Sequence, residues 1–461
     1  MKKTFVSIVL GLAFSGAALA DDLSTVYQLA QANDPQINRA KAQKDAAYAG
    51  IDLSRANLLP QISGYVSYSM SSSESYGQFI DGVTTDGNPA FVGRVTDTDT
   101  DALAYGLDLN MSLYDHANWL GMDRAELVAQ QSDAALGASL QGLILRTVNA
   151  YLSVLREQDS VEFVKAELKA IERQLEQTKQ RFEVGLTAIT DVHEAQANYD
   201  NTVARQIRAE NLLELRLEEL REITGKYHDR IEVLDTELFS AVAPAPAKVS
   251  EWLEMAQESN LDLLTQRFGK DIAKEDIEIA RSGHYPSLAL SASYDMSDSE
   301  TDFISTNGQP ATINNGALNS HSVALSLSVP IYQGGGVKAG TERARANYVV
   351  ASENLELTYR QTVRLVRSSF NDVKAAISTI RALEQSVVSA ESALKATEAG
   401  FDVGTRTIVD VLDSTRNLFD ARRNLADARY SFIIAIVSLK QAAGTLTEQD
   451  LLNINKVLKP A

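Results

Sequence analysis

Phe401–Asp413 reads FDVGTRTIVDVLD, and the same passage occurs earlier as FEVGLTAITDVHE at Phe182–Glu194, displaced by 219 positions. In each copy a Val-Gly pair separates two long helical patterns, and acidic residues three apart follow on the second. A chain that makes one sharp helical hairpin twice at a fixed spacing is a tandem duplication. The duplication extends outward from these tips. Lys44-Asp45, Ile51, Arg55 and Pro60 correspond to Lys270-Asp271, Ile277, Arg281 and Pro286, and Gly225 corresponds to Gly444. Residues 21–225 and 251–444 are therefore two structural repeats. Each runs helix, strand, polar loop, strand, very long helix, glycine break and return helix. Residues 226–250, which contain Ala243-Pro244-Ala245-Pro246-Ala247, link the repeats, and residues 445–461 follow the second.

The helical patterns are long. All nine prolines lie outside 117–184 and 337–403, so each stretch predicts a continuous helix of roughly 100 Å at 1.5 Å per residue. A globular core needs nothing of that length. Val164, Leu168, Ile171, Leu175, Thr178 and Phe182 are spaced four-three-four-three-four, and Leu383, Val387, Ala390, Leu394, Thr397 and Phe401 repeat that spacing in register. This is a coiled-coil stripe running into each tip. The charges around the first stripe, Glu167, Lys169, Glu172 and Arg173, are expected on a solvated face.

The strands alternate. Leu103, Tyr105, Leu107, Leu109, Met111 and Leu113 interleave with small or polar residues, as do Leu288 to Met296, Val323 to Ile331 and, more weakly, Ile62 to Met70. One apolar and one small polar face over roughly ten residues marks a membrane-spanning strand with a wet lumen. A half-buried strand of a soluble sandwich shows the same alternation. The segments Ser71–Thr100 and Ser297–Asn319, rich in Ser, Thr, Asp and Gly, are expected to be long exposed loops, which favours the membrane reading. Four strands cannot close a barrel, because closure takes at least about eight. An open sheet edge in lipid leaves backbone groups unpaired at several kcal/mol each. If the strands enter a membrane, more than one chain must therefore contribute.

Composition excludes several classes. Lys2 and Lys3, the apolar run from Thr4 to Gly16 and Ala18-Leu19-Ala20 predict a secretory signal peptide over residues 1–20. Its removal would take the net charge from −18 to −20. So acidic a chain is a poor partner for nucleic acid, which demands clustered Lys and Arg. There are no cysteines, hence no disulfides or thiolate metal sites. The histidines His116, His193, His228, His284 and His321 show no metal-ligand spacing, Gly334-Gly335-Gly336 lacks the phosphate-loop pattern, and no nucleophile elbow occurs. No enzyme and no cofactor is expected. Asp410 and Asp413 share a helix face, with Asp191 and Glu194 in the equivalent places. A helix N-terminus favours one such carboxylate. If symmetry gathered copies around an axis, the pairs would form an acidic ring that attracts cations and raises its own pKa values.

Several passages carry a resemblance. They are LLPQ at Leu58–Gln61, QRFEVGLTAITDV at Gln180–Val192, LREITG at Leu220–Gly225 and VPIYQGG at Val329–Gly335, then VRSSFN at Val366–Asn371, VGTRTIVDVLD at Val403–Asp413 and EQDLL at Glu448–Leu452. Spread over nearly the whole mature sequence, they make the chain similar to the outer membrane efflux proteins, the efflux and secretion channels of Gram-negative bacteria. That resemblance implies a membrane β-barrel joined to an all-α coiled-coil barrel. It implies a homotrimer sharing twelve strands in the outer membrane, four per chain, with a helical tunnel in the periplasm and a mixed α/β equatorial belt. It implies an exit duct for multidrug efflux and type I secretion, served by periplasmic adaptor proteins, inner-membrane efflux pumps and ABC-type secretion transporters. Thr190, Asp191 and Arg406 match positions that hold the tunnel closed, and Phe401 stands where the family has a tyrosine, so one closing bond is expected to be missing. Asp410 and Asp413 match a cation-binding constriction. Val184, Gly185, Leu186, Val403, Gly404 and Thr405 match the adaptor-docking tips. The alternative reading is a non-conducting periplasmic coiled-coil scaffold.

Overall fold

The computed structural model describes residues 20–304 and 309–460; apart from Ala20, the expected signal peptide lies outside the described residues. The elements run α1 (Leu23–Asn33), α2 (Pro35–Ala56), β1 (Gln61–Val83), β2 (Pro89–Tyr114), α3 (His116–Glu183) and α4 (Ile189–Thr224). After β3 (Val233–Leu234) come α5 (Val249–Ser259), α6 (Leu261–Ser282), β4 (Ser287–Ile304), β5 (Pro310–Ser328), α7 (Gly336–Asp402), α8 (Ile408–Ala442), α9 (Glu448–Asn455) and β6 (Leu458–Lys459). The two proline-free stretches are α3 and α7, of 68 and 67 residues. The chain forms two units, each drawing on both repeats: residues 45–130 with 268–352, and residues 1–44 with 131–267 and 353–461.

The first of these units holds one antiparallel sheet in the order β1-β2-β4-β5. Each repeat supplies a hairpin, and β2 with β4 joins the hairpins across the duplication. The register sets apolar residues opposite one another: Ile62 faces Leu109, Val66 faces Tyr105, Leu107 faces Tyr294, Leu290 faces Leu325 and Leu288 faces Leu327. Because side chains alternate with period two, these residues make one continuous apolar face. The other face is polar, with Ser293 and Ser322 hydroxyls 3.0 Å apart. Gly106 lies in β2 between Tyr65 of β1 and Asp295 of β4. Lacking a Cβ, it lets the Tyr65 hydroxyl donate across the strand to Asp295 at 2.7 Å. No helix among the described residues is long and apolar enough to cross a membrane.

The strands overrun their expected ends. Most of Ser71–Thr100 and Ser297–Asn319 is paired strand rather than loop, with Tyr76 opposite Val95, Ile80 opposite Phe91 and Thr100 opposite Thr301. Ladder bonds are made by the backbone, so polarity alone did not mark where pairing stops. At the other end β5 stops at Ser328 instead of Ile331, because Pro330 brings no N–H to a ladder. The turn that follows has Gly334 and Gly335 at φ 60° and 86°, as a strand-to-helix connection requires.

The second unit packs a core of Leu23, Val26 and Ile37 with Leu143, Tyr151 and Leu155 of α3, Leu220 of α4, Trp252 of α5, Val366 of α7 and Leu439 of α8. The short pair β3–β6 ties the inter-repeat linker to the C-terminal segment. Inside it His228 is fully buried, bridging the Thr224 hydroxyl at 3.0 Å and the Asp21 carboxylate at 2.8 Å. The single helix expected before the first strand of each repeat is two helices. Asp34 is extended (φ −61°, ψ 119°), since Pro35 disfavours the α region for its predecessor. In the second repeat Asn260 breaks the helix without a proline, its side chain accepting from Leu263 N–H at 2.9 Å.

The stripes are mostly where the spacing puts them. Val164, Ile171, Leu175 and Thr178 are buried, and Leu383, Val387, Ala390, Leu394 and Thr397 are half-buried among exposed neighbours. Glu167 corrects the expectation of a solvated face. It is 0 % exposed, and Arg205 reaches it from α4 at 2.6 Å. The return helix supplies the counter-charge that makes this burial tolerable.

Candidate functional site

The candidate site is the pair of hairpin tips. Each long helix ends in the same way. Gly185 N–H bonds Phe182 C=O at 2.9 Å and Leu186 N–H bonds Arg181 C=O at 2.8 Å; Gly404 bonds Phe401 at 3.1 Å and Thr405 bonds Gly400 at 2.8 Å. With φ of 78° and 77° at the two glycines, both are Schellman ends, which satisfy the last free carbonyls of a helix. The turn carries its apolar residues outward. Val184 and Leu186 are each 69 % exposed and Val403 is 75 % exposed. Open space surrounds the place a Cβ would take on Gly185 or Gly404.

The return helices start differently. Thr407 and Asp410 form a reciprocal capping box on α8: Thr407 N–H donates to the Asp410 carboxylate at 2.8 Å, and Asp410 N–H donates to the Thr407 hydroxyl at 3.3 Å. The Thr407 N–H, with the Thr407 hydroxyl donating to the same carboxylate at 2.9 Å, holds the Asp410 carboxyl below the ordinary aspartate range, with a smaller contribution from Arg406. Within one chain the cap stabilises the charged form; the rise expected of an acidic ring concerns copies gathered around an axis. Asp413 pairs with Arg416 at 3.5 Å. On α4 the N-cap is Ala188, which makes no side-chain bond, and the Thr187 hydroxyl donates to Asp191 instead.

The residues expected to close the tunnel do not all meet among the described residues. Thr190 and Arg406 are exposed, and among the described residues no carboxylate forms an ion pair with Arg406. Its stem passes the face of Gly400, where an added Cβ would stand 2.7 Å from Cγ. Phe401 is 8 % exposed and packs with Ile171 and Leu175 of α3, Ala195 of α4, and Ile408, Val411 and Leu412 of α8. Its counterpart Phe182 is 41 % exposed. Two features escaped the sequence reading. The pattern Thr407-x-x-Asp410 was legible as a capping box. Arg181, whose guanidinium lies 4.5 Å from the Phe401 ring centre, carries no local signal, since the contact joins two different hairpins. Among the described residues, no three His, Asp or Glu side chains form a group able to hold a metal ion.

The sequence matches the model of the family described as outer membrane efflux protein over residues 26–226 and 252–445, one block per repeat. The chain belongs to the outer membrane efflux protein family. This family member is 44 % identical to the outer membrane protein TolC of Vibrio cholerae, covering 99 % of this chain and 98 % of that one. It is 40 % identical to TolC of Escherichia coli strain K12 over 99 % and 89 % of the two chains. A more distant relative is the proteases secretion protein PrtF of Dickeya chrysanthemi, 28 % identical over 98 % and 94 %. Among solved structures, the Campylobacter jejuni CmeC outer membrane channel superposes with a TM-score of 0.72 at 15 % identity, over 100 % of this chain and 98 % of that one. Its fold is that of these channels, and its place is the outer membrane.

Proposed function

We propose that three copies of this chain form an outer-membrane exit duct for efflux and type I secretion. The observation that carries this reading is the sheet. It has one apolar face, one polar face and two edges, β1 and β5, that no other strand of the sheet covers. In hydrocarbon every edge N–H and C=O must find a partner, and β1 of one copy against β5 of the next supplies it. Three copies give twelve strands. The family description, outer membrane efflux protein, supports the efflux role, and the relative named for protease secretion supports the secretion role.

The duct is closed at the hairpin tips, with Thr190, Asp191 and Arg406 among the closing residues. Arg406, exposed and in no ion pair with a carboxylate among the described residues, is available to pair across a subunit boundary. Phe401 has no hydroxyl to donate to Asp191, so Arg406 carries more of the closed state here. Asp410 and Asp413 line the constriction and bind cations. Val184-Gly185-Leu186 and Val403-Gly404-Thr405 dock periplasmic adaptors, which join the duct to inner-membrane pumps or ABC-type transporters. No catalysis occurs in the duct; transport is driven from the inner membrane.

Recording purified protein in a planar bilayer tests this. Discrete ion conductance blocked by a trivalent cation, with the block weakened in Asp410→Ala/Asp413→Ala, is the expected result. Protein that never conducts is the scaffold of the alternative reading, and unchanged block in the double variant removes Asp410 and Asp413 from the constriction.

A further inference from the structure

We infer that Arg181 is a positioning residue of the closed tip, because its guanidinium, stacked on Phe401, clamps the end of α7 to the end of α3. The inference rests on the reading of the tips as the closing end of the duct and names a contact within each subunit that holds it.

The geometry sets Arg181 apart from its neighbours. Its guanidinium carbon lies 4.5 Å from the Phe401 ring centre, and Nη1 is 4.0 Å from the Asp402 carboxylate. The Arg181 side chain is only 24 % exposed, whereas Asp402 is 66 % exposed, so solvent screens the ion pair far more than the stack. A flat, weakly hydrated guanidinium over an aromatic face is attracted by the ring quadrupole. The ring cannot tilt away to accommodate it, since Phe401 is wedged among Ile171, Leu175, Ile408 and Leu412.

The duplication reveals that this contact is made once per chain. Gly400 stands where the second repeat would carry the counterpart of Arg181, and Phe182, counterpart of Phe401, is left exposed. The stack therefore joins the first hairpin to the second instead of bracing either one internally. Among the described residues near the tips, the Arg416 guanidinium also crosses, to Asn198 at 2.8 Å, from α8 to α4. A widening that carries one hairpin away from the other would break both contacts. A phenyl ring offers no hydroxyl for a closing bond, but its face is still a full partner for Arg181. The opposite hairpin thus adds a contact at this position beside the share carried by Arg406.

The test compares full-length trimers in planar bilayers, with thermal melting as the control for fold. Arg181→Gln is expected to shift the closed–open balance toward conductance by about three- to thirty-fold per subunit, the strength of a partly desolvated cation–π contact. Phe401→Leu keeps an apolar filler but removes the ring, and is expected to do the same. Combining the two should add little to either alone. Asp402→Asn should leave conductance near that of the unaltered channel; opening as far as Arg181→Gln would assign the clamp to the ion pair and overturn the stack. If Arg181→Gln and Phe401→Leu both conduct like the unaltered channel while Arg406→Ser conducts more, the inference fails and the closing role of the tips stands. If none of the three raises conductance, the closing role itself fails. Should Arg181→Gln not assemble, Phe401→Leu alone decides the matter from the other side of the contact.

Discussion

Asp159 on α3 accepts a 2.6 Å hydrogen bond from the Tyr430 hydroxyl on α8. Burial, reinforced by Glu162 and Asp427 and opposed by the Tyr430 bond and Arg429, pushes its carboxyl up to about 6. The folded chain thus keeps this proton to higher pH than the unfolded chain does. The resulting stabilisation is complete below the unfolded aspartate range near 3.8 and is lost as pH rises through about 6. Asp159→Asn keeps an acceptor for Tyr430 and removes the titration. Between pH 4 and pH 7 the unaltered protein should lose roughly 2–3 kcal/mol relative to this variant, read as the difference of their denaturant midpoints; parallel curves would contradict it. At Gly404 the space for a side chain is open but φ is 77°. A leucine there should cost about 1–2 kcal/mol for a left-handed backbone and leave the trimer intact. It should also abolish crosslinking to an adaptor, and normal crosslinking would refute docking at that turn. The glycines, the acidic pairs and Arg406 were all readable as types at positions. That Asp410 spends its charge on its own helix cap was readable too, from Thr407 three residues before it.

Hairpin elements show what periodicity conveys and what it omits. The four-three spacing located the buried stripes on α3 and α7 because a helix repeats its faces every 3.6 residues. Glu167 interrupts that logic: a charge beside the stripe is normally solvated, yet this one is enclosed by the return helix and held by Arg205. Arg205→Ala leaves the carboxylate buried without a counter-charge and should destabilise the protein by on the order of 3–5 kcal/mol, whereas Glu167→Met/Arg205→Met should be nearly neutral or stabilising. Chemical denaturation of the three proteins checks this, and equal losses in both variants would be the wrong outcome. In the sheet, alternation revealed the apolar band of each strand but not its full length. The added stretches mix many polar residues with Tyr76, Ile80, Phe91 and Val95, so no clean alternation marks them, and their pairing is a property of the backbone.

For the whole molecule, the closed state sets the remaining expectation. Arg406→Ser should raise single-channel conductance in a planar bilayer, because an exposed cation in no ion pair among the described residues is the group available to pair with a neighbouring subunit. Conductance equal to that of the unaltered protein would contradict it. By itself the sequence determined the duplication, the two long helices, the two-faced strands and the need for more than one chain. All of these follow from local periodicity and from the cost of unpaired backbone in lipid. Only the tertiary structure decided that β2 pairs with β4, making one sheet of the two repeats. Likewise it alone decided that Phe401 is enclosed while Phe182 is exposed, and that Arg181 covers the enclosed ring. Such outcomes depend on which segments meet in space, and residues some two hundred positions apart leave no mark of that meeting in their own neighbourhoods.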